Sequence, residues 1–150
     1  MITRPHSILL DAGALAALAA SERRLQAWAT VARRTDSVLY SSTVTLAETT
    51  DGSARDALVR RAAKSVRLIP VSDAIGYRAG ALRAAAASGR RKPRDLTMDA
   101  LVAATALTLP PPAVVLITDA SDLRRLLLDT DVAVEGMLTC WNSESVWALP

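Results

Sequence analysis

The segment LTMDALVAATALTL, residues 96–109, contains a single ionisable side chain, the carboxylate of Asp99. Thr97 is a suitable N-cap, and the spacing of the residues that follow predicts a helix that is apolar on nearly every side. Such a helix is expected to be buried between other elements. Because an unpaired buried carboxylate is costly, the rest of the chain has to supply a compensating group for Asp99.

Composition indicates one globular domain spanning residues 1–150. Half of the chain is hydrophobic (51%), and with no Phe, three Trp and two Tyr it lacks the aromatic platform of a base-stacking RNA reader. The only cysteine is Cys140 and the only histidine is His6, which excludes an intrachain disulfide, a Cys or His zinc centre and a Ser-His-Asp triad. Any chemistry must therefore rest on carboxylates.

The net charge of +3 and the pI of about 9.6 give a modest bias toward polyanions, which an ordinary basic surface explains equally well. The N-terminal segment superficially resembles a signal peptide, but Asp11 interrupts its apolar run. No other window approaches the roughly 18 apolar residues of a membrane span. We therefore expect a cytoplasmic protein with no membrane partner.

Short apolar strands alternate with helical segments along the chain. Strands are predicted at 7–10, 38–41, 66–71, 113–118 and 132–134, and helices at 14–20, 22–34, 43–48, 53–64, 73–88 and 97–109 and from 121 onward. This alternation is typical of an α/β domain with a mainly parallel sheet, in which ligands bind beyond the carboxyl ends of the strands.

Two acids lie at such strand ends. Asp11 closes ILLD and Asp119 closes VVLITD, so a parallel sheet would bring them to the same edge. Helix capping is the competing explanation for Asp11, and also for Asp119 and Asp122, of which Asp122 is the better placed to cap the last helix. That leaves Asp119 as the better candidate ligand.

Two further acids, Glu48 and Asp99, are interpreted as lying in first turns of helices. Glu48 follows apolar neighbours, which makes full exposure doubtful, although a solvated helix position is the alternative. For Asp99 the alternative is a charge that complements the helix N-terminus, worth under about 1 kcal/mol when exposed. Expected burial on both faces makes that explanation insufficient for Asp99.

Acids crowded together raise one another's pKa, and a divalent cation removes this cost. Mg²⁺, or Mn²⁺ in its place, suits an oxygen-only ligand set and would support phosphodiester hydrolysis. The basic segment RRKPR, close in sequence to Asp99, is the best candidate for holding a nucleic-acid backbone. Its predicted RNA-binding residues are Arg90, Arg91, Lys92 and Arg94.

Five segments in order resemble the motifs of PIN-domain ribonucleases, and most closely the VapC-type toxins of bacterial toxin–antitoxin pairs. They are ILLDAGALAAL, SSTVTLAE, AGALR, LTMDALVAATAL and LITDASDLRRL, within about residues 7–135. Each motif is short, so the ordered set is what makes the resemblance specific. Residues 139–150 lie beyond it, and no function is predicted for them.

The resemblance implies a three-layer α/β/α PIN-like fold and an Mg²⁺- or Mn²⁺-dependent endoribonuclease acting on structured RNA of the tRNA or rRNA class. It also implies a homodimer and inhibition by a cognate antitoxin protein. The catalytic acids would be Asp11, Glu48, Asp99 and Asp119. The metal ligands would be Asp11, Asp99, Asp119 and, by analogy with some members, Asp122.

The first motif departs from the family pattern. Gly13 stands where the family usually has Ser, Thr or Asn, so a group expected to contact the metal shell is missing and we expect weaker metal binding. This favours an alternative function, a catalytically weak or inactive PIN-like module that binds RNA or a protein partner without cutting.

Two other classes with acidic sites fit less well. A receiver-type domain needs a lysine near the last strands, whereas the only lysines are Lys64 and Lys92. A haloacid-dehalogenase-type phosphatase needs an early Asp-x-Asp, and Asp11 is followed by Ala12 and Gly13.

Overall fold

The computed structural model describes residues 4–86 and 96–136. Helices and strands alternate through these two ranges, as the sequence predicts. They are β1 Ser7–Leu10, α1 Ala12–Ala19, α2 Arg23–Arg34, β2 Val38–Ser42, α3 Thr43–Thr49, α4 Asp56–Ala63, β3 Arg67–Ile69, α5 Asp73–Ala86, α6 Thr97–Ala106, β4 Ala113–Ile117, α7 Ser121–Leu126 and β5 Ala133–Gly136.

The strands form one parallel sheet in the order β3-β2-β1-β4-β5. Strand β1 is central, and its last residue, Leu10, is in register with Ser41 of β2 and Leu116 of β4. The backbone N–H of Asp11 continues this pairing by donating to the Leu116 carbonyl at 3.1 Å. The predicted α/β class is thus confirmed.

Both faces of the sheet are covered, which gives three layers. Alternate strand residues point to opposite faces, so Leu9 and Val115 pack with α5, α6 and α7, while Ile8 and Leu116 pack with α1 and α2. All four residues of β1 are buried. Parallel strands covered on both faces are expected to be mostly apolar. β4 is apolar throughout, and in β1 the one polar residue, Ser7, donates its hydroxyl to the Pro110 carbonyl at 2.7 Å.

Helix α6 is the buried helix that the sequence predicts, since Ala100 and all residues from 102 to 106 are buried. Its capping prediction is wrong: Leu96 is the N-cap, and Thr97 is the first helical residue. The Thr97 hydroxyl instead accepts a hydrogen bond from Nη1 of Arg83 at 2.9 Å. This contact ties the end of α5 to the start of α6.

Three other predicted boundaries shift. Helix α4 begins at Asp56 rather than after Ser53, because the buried Asp56 carboxylate accepts the N–H groups of Asp51 and Gly52 at 3.2 and 3.0 Å and holds the preceding turn. Strand β3 is only 67–69, since it is an edge strand that pairs with β2 alone. Strand β5 begins one residue later than predicted and extends to Gly136.

A buried hydroxyl pair attaches α3 to the central strand. The Ser41 hydroxyl donates to the Leu10 carbonyl at 2.9 Å and lies 2.6 Å from the hydroxyl of Thr45. Thr45 also donates to the Ser42 carbonyl. Because Leu10 precedes Asp11, and Glu48 lies three residues after Thr45 on the same helical side, this pair sets where Glu48 stands relative to Asp11.

No helix in the described part of the chain is both long and apolar enough to cross a membrane.

The Thr45→Val variant, which keeps the side-chain shape but removes the hydroxyl, is expected to lower the free energy of unfolding by about 1–3 kcal/mol. The cause is a buried carbonyl of Ser42 and a Ser41 hydroxyl left short of a partner. Urea denaturation measures the loss. Thr30→Val is the matched control, since the Thr30 hydroxyl makes an exposed bond within α2; equal losses in both variants would contradict the assignment.

Candidate active site

Asp11 lies at the carboxyl end of β1 and is the N-cap of α1, where its Oδ1 accepts the N–H of Ala14 at 2.7 Å. The side chain is half-buried, and burial is the main reason why its pKa lies above the ordinary 3.8. Backbone N–H groups of Ala14, Thr118 and Gly13 oppose this rise, whereas the charge of Asp99 adds to it. Asp11 therefore caps a helix and also faces another acid.

Glu48 lies in the last turn of α3, not in a first turn, and its side chain is exposed. The predicted first-turn position is therefore wrong, whereas the expectation that Glu48 is not fully exposed agrees with its partial desolvation. Its pKa is nevertheless raised above 4.5, first by partial desolvation and then by the charges of Asp99 and Asp11. Glu48 thus shares an electrostatic environment with both aspartates.

Asp99 is half-buried in the first turn of α6. Its charge acts on both Asp11 and Glu48, although 88 residues separate it in sequence from the former. Asp11 after β1, Glu48 in α3 and Asp99 in α6 therefore share one electrostatic environment, and we call these three residues the acidic triad. Mutual repulsion within the triad is the cost that the sequence predicts for crowded acids.

Asp119 follows the carboxyl end of β4, which pairs in parallel with β1, so the predicted common sheet edge is confirmed. Its Oδ1 accepts the N–H and the hydroxyl of Ser121 at 3.1 and 2.8 Å, which forms the turn into α7. The sequence assigns capping to Asp122 instead, and that assignment is wrong. Asp122 is half-buried in the first turn of α7.

The four predicted RNA-binding residues lie outside the described residues. Among the described residues, the structure adds one positively charged side chain, Arg83, that was not predicted from the sequence. Arg83, at the end of α5, is half-buried and bonded to Thr97, two residues before Asp99. Its place within the AGALR motif was the available signal.

The donor chemistry suits a hard divalent cation, because every candidate ligand is a carboxylate and the triad is mutually repulsive. In the parts of the chain that are described, no three acidic, His or Cys side chains converge closely enough to form a ready-made metal cluster.

A cavity of about 380 Å³ lies elsewhere, between the ends of α2 and α4 and the starts of β2 and β3. Its lining includes Arg33, Lys64 and Arg67 and no acid among the residues described. It opens toward the amino ends of the strands. The acidic triad lies toward the carboxyl ends of the strands, at the opposite edge of the sheet.

Several solved toxin–antitoxin structures contain a chain with this fold. The VapBC2 complex from Rickettsia felis, bound to a fragment of its promoter DNA, matches with a TM-score of 0.64 at 12% identity, over 87% of this chain and 98% of that one. FitAcB from Neisseria gonorrhoeae matches with a TM-score of 0.60 at 21% identity, over 89% of this chain and 99% of that one. VapBC-1 from nontypeable Haemophilus influenzae matches with a TM-score of 0.59 at 16% identity, over 87% of this chain and 98% of that one.

No protein-family model and no curated relative matches the sequence. The likeness therefore concerns the fold, which extends over nearly the whole described chain. It agrees with the three-layer α/β/α fold that the resemblance of the five ordered motifs implies.

Asp99→Asn is expected to lower the pKa of both Asp11 and Glu48, since it removes a charge that raises each of them. A carboxyl group whose pKa is higher in the folded than in the unfolded protein stabilises the fold at pH values below its unfolded pKa. This stabilisation is lost as the pH rises through the folded pKa. The variant should therefore gain more stability at pH 7 than at pH 4, relative to wild type.

Carboxyl-carbon NMR titration measures the two pKa values, and urea denaturation at both pH values measures the stability difference. Asp36→Asn is the matched control, because Asp36 is exposed at φ 54°, a conformation that Asn adopts readily, at the amino-end side of the sheet. Unchanged titration of Asp11 and Glu48 in Asp99→Asn would contradict the existence of the triad.

Proposed function

We propose that this protein is a metal-dependent endoribonuclease of the VapC type, the toxin of a toxin–antitoxin pair. The observation that carries the proposal is the electrostatic coupling of Asp11, Glu48 and Asp99, three acids from separate elements of the fold. The fold shared with chains of toxin–antitoxin complexes supports it.

Mg²⁺, with Mn²⁺ as a substitute, is the proposed cofactor, held by Asp11 and Asp99 with Asp119 and Asp122 at the adjoining strand end. When bound, the cation supplies a Lewis acid that offsets the charge developing on the phosphate oxygens. Asp11 is oriented by the backbone N–H of Ala14, which donates to its Oδ1 at 2.7 Å. It would fix the position of the cation relative to the sheet.

Glu48 is the proposed proton acceptor. It is the most exposed member of the acidic triad and therefore the one that a solvent water reaches most easily. The Ser41–Thr45 pair holds its helix against the end of β1, so the carboxylate stays near the other two acids. A base so placed would take the proton of the attacking water while the phosphodiester bond is broken.

The proposed partners are a structured RNA substrate of the tRNA or rRNA class, a cognate antitoxin protein and a second copy of the chain, all in the cytoplasm. The solved neighbours are toxin–antitoxin complexes by description, which supports the antitoxin. The positive net charge supports a polyanionic substrate.

A second candidate is a module that binds RNA or a protein without cutting. The absence of a ready-made three-ligand cluster among the described residues, together with Gly13 in the first motif, is what favours it. RNA binding with no cleavage in either Mg²⁺ or Mn²⁺, by a protein shown to be folded, would select this candidate over the nuclease.

Wild-type protein is expected to cut a total RNA pool into discrete fragments with Mg²⁺ or Mn²⁺ and to stop when EDTA is added. Asp99→Asn should cleave at least about 100-fold more slowly, because it loses a charged ligand for the cation without a change of shape. Fragment sequencing identifies the RNA that is cut.

The matched control for this loss is Asp36→Asn, which makes the same chemical change near the amino ends of the strands. This variant should cleave like wild type. Both variants are checked for folding by urea denaturation. Full activity of a folded Asp99→Asn would exclude the proposed mechanism.

Arg83→Gln is expected to weaken RNA binding by removing a cation held beside the amino end of α6. If Arg83 contacts one phosphate of a single strand, the slope of log K against log salt should become smaller by about 0.7. The measurement is made in the Asp99→Asn background by fluorescence anisotropy. Arg78→Gln, an exposed position earlier on α5, is the control, and equal affinity of both variants would exclude Arg83 as a contact.

A further inference from the structure

The cavity of about 380 Å³ at the amino edge of the sheet is separate from the acidic triad and carries charge of the opposite sign. Its walls come from the end of α2, the segment that leaves α4, and the starts of β2 and β3. Its volume falls within the range of sites that hold small molecules, roughly 300–1,000 Å³. We call it the basic cavity.

Much of the lining of the basic cavity is apolar. The buried or half-buried apolar residues are Ala29, Ala32, Val38, Leu39 and Val66. The two hydroxyl groups of the lining are already engaged, since Ser37 donates to the Pro5 carbonyl at 2.6 Å and Ser65 donates to the Ala62 carbonyl at 2.8 Å. Hydrogen-bond donors for a ligand therefore have to come from charged side chains.

Three cations line the same space: Arg33, Lys64 and Arg67. Among the residues described, no partner is found for the side chain of Lys64 or of Arg67. Arg33 uses Nη2 to donate to the Thr30 hydroxyl at 3.1 Å and keeps its other N–H groups. All three side chains are exposed, so a ligand that enters from solvent can reach them.

Helix polarity explains part of this positive charge. Arg33 lies in the last turn of α2 and Lys64 is the C-cap of α4, where a cation offsets the negative end of a helix. Each helix end is equivalent to roughly half a negative unit charge, so the two ends together offset about one cation. Arg67 lies in β3, and a strand has no comparable dipole. The basic cavity thus keeps a surplus of about two positive charges.

A phosphomonoester matches this surplus. It carries a charge of about −1.5 to −2 at pH 7, whereas an internal phosphodiester or a single carboxylate carries only one negative charge. Arginine binds phosphate oxygens through paired N–H groups, and lysine adds a point charge. The cavity has the space of roughly a dozen waters, which is more than a bare phosphate fills. A nucleobase is a suitable body for the rest of the space, since it packs on apolar side chains.

We propose that the basic cavity binds the terminal phosphate of a nucleotide, with Arg33, Lys64 and Arg67 on the phosphate and the apolar lining against the nucleoside. The phosphate can belong to a free mononucleotide or to the end of an RNA chain, because both present the same monoester. The site lies at the sheet edge opposite the acidic triad and requires neither a metal nor cleavage. It therefore goes beyond the proposed function and is tested independently of it.

Isothermal calorimetry of the wild-type protein in EDTA compares three ligands: adenosine 5′-monophosphate (AMP), adenosine and inorganic phosphate. AMP should bind at least about 10-fold more tightly than either of the others, because it alone combines charge-assisted hydrogen bonds with apolar contacts. Adenosine that binds as tightly as AMP would overturn the role of the phosphate. Inorganic phosphate that binds as tightly as AMP would overturn the role of the nucleoside.

Arg67→Gln removes the cation that no helix end explains and should weaken AMP binding by about 10-fold. Adding Lys64→Gln should bring the loss to about 100-fold. The matched control is Arg34→Gln, since Arg34 is exposed beside Arg33 in α2 but does not line the cavity. At physiological salt it should bind AMP within about twofold of wild type, because distant exposed charges are screened.

Urea denaturation should show all these variants folded like wild type, since each replaced side chain is exposed. A folded Lys64→Gln/Arg67→Gln variant that binds AMP as tightly as wild type would overturn the site. Equal losses in Arg34→Gln and Arg67→Gln would also overturn it, because the effect would then be one of net charge.

Competition with AMP distinguishes the two sources of the phosphate. A four-nucleotide RNA, with and without a 5′-terminal phosphate, is added to the Asp99→Asn variant, in which cleavage is blocked. Competition by the phosphorylated RNA alone supports an RNA end as the ligand, and competition by neither RNA supports a free mononucleotide. Unphosphorylated RNA that competes as well as AMP itself would overturn the proposal, since its phosphodiesters lack the second charge.

The two proposals fail in different ways. Asp99→Asn should bind AMP like wild type, because the acidic triad lies at the other edge of the sheet. A wild-type protein that cuts RNA with Mg²⁺ but binds no AMP overturns the nucleotide site and leaves the nuclease. A folded protein that binds AMP but cuts no RNA does the reverse.

Discussion

The double pairing of β1 is the constraint on which the rest of this structure depends. A strand with parallel neighbours on both sides, and helices over both faces, is buried along its whole length, and its one polar residue, Ser7, is hydrogen-bonded to the Pro110 carbonyl. The first polar side chain that can follow is at its carboxyl end, where the chain leaves the sheet. Asp11 occupies that position, and the other acids of the site are arranged around it.

The helices that carry those acids are held by polar contacts at the edge of the core. Ser41 and Thr45 join α3 to the carbonyl of Leu10, while Arg83 and Thr97 join α5 to α6. Burial of these carboxylates raises the pKa of Asp11 and of Glu48, and the charge of Asp99 adds to the rise in both. A divalent cation would offset both costs.

Gly13 shows what a motif leaves out when it is considered alone. Along the chain, glycine in the first motif lacks the polar group of the family pattern. Across the sheet, a Cβ atom at residue 13 would lie 1.8 Å from Oγ1 of Thr118, so packing against the residue that follows β4 explains the glycine. The two positions are 105 residues apart in the sequence, and only the pairing of β1 with β4 makes them neighbours.

The sequence by itself determined the order of strands and helices, the burial of α6 and the placement of Asp11 and Asp119 at one sheet edge. These features follow from local periodicity, capping and the geometry of parallel strands. The tertiary structure decided that Glu48 is exposed in a last turn, that Asp119 rather than Asp122 forms the turn into α7, and that Thr118 fills the space at Gly13. Each of these depends on how separate elements approach one another, and side-chain distances between such elements are not encoded in the periodicity of either one.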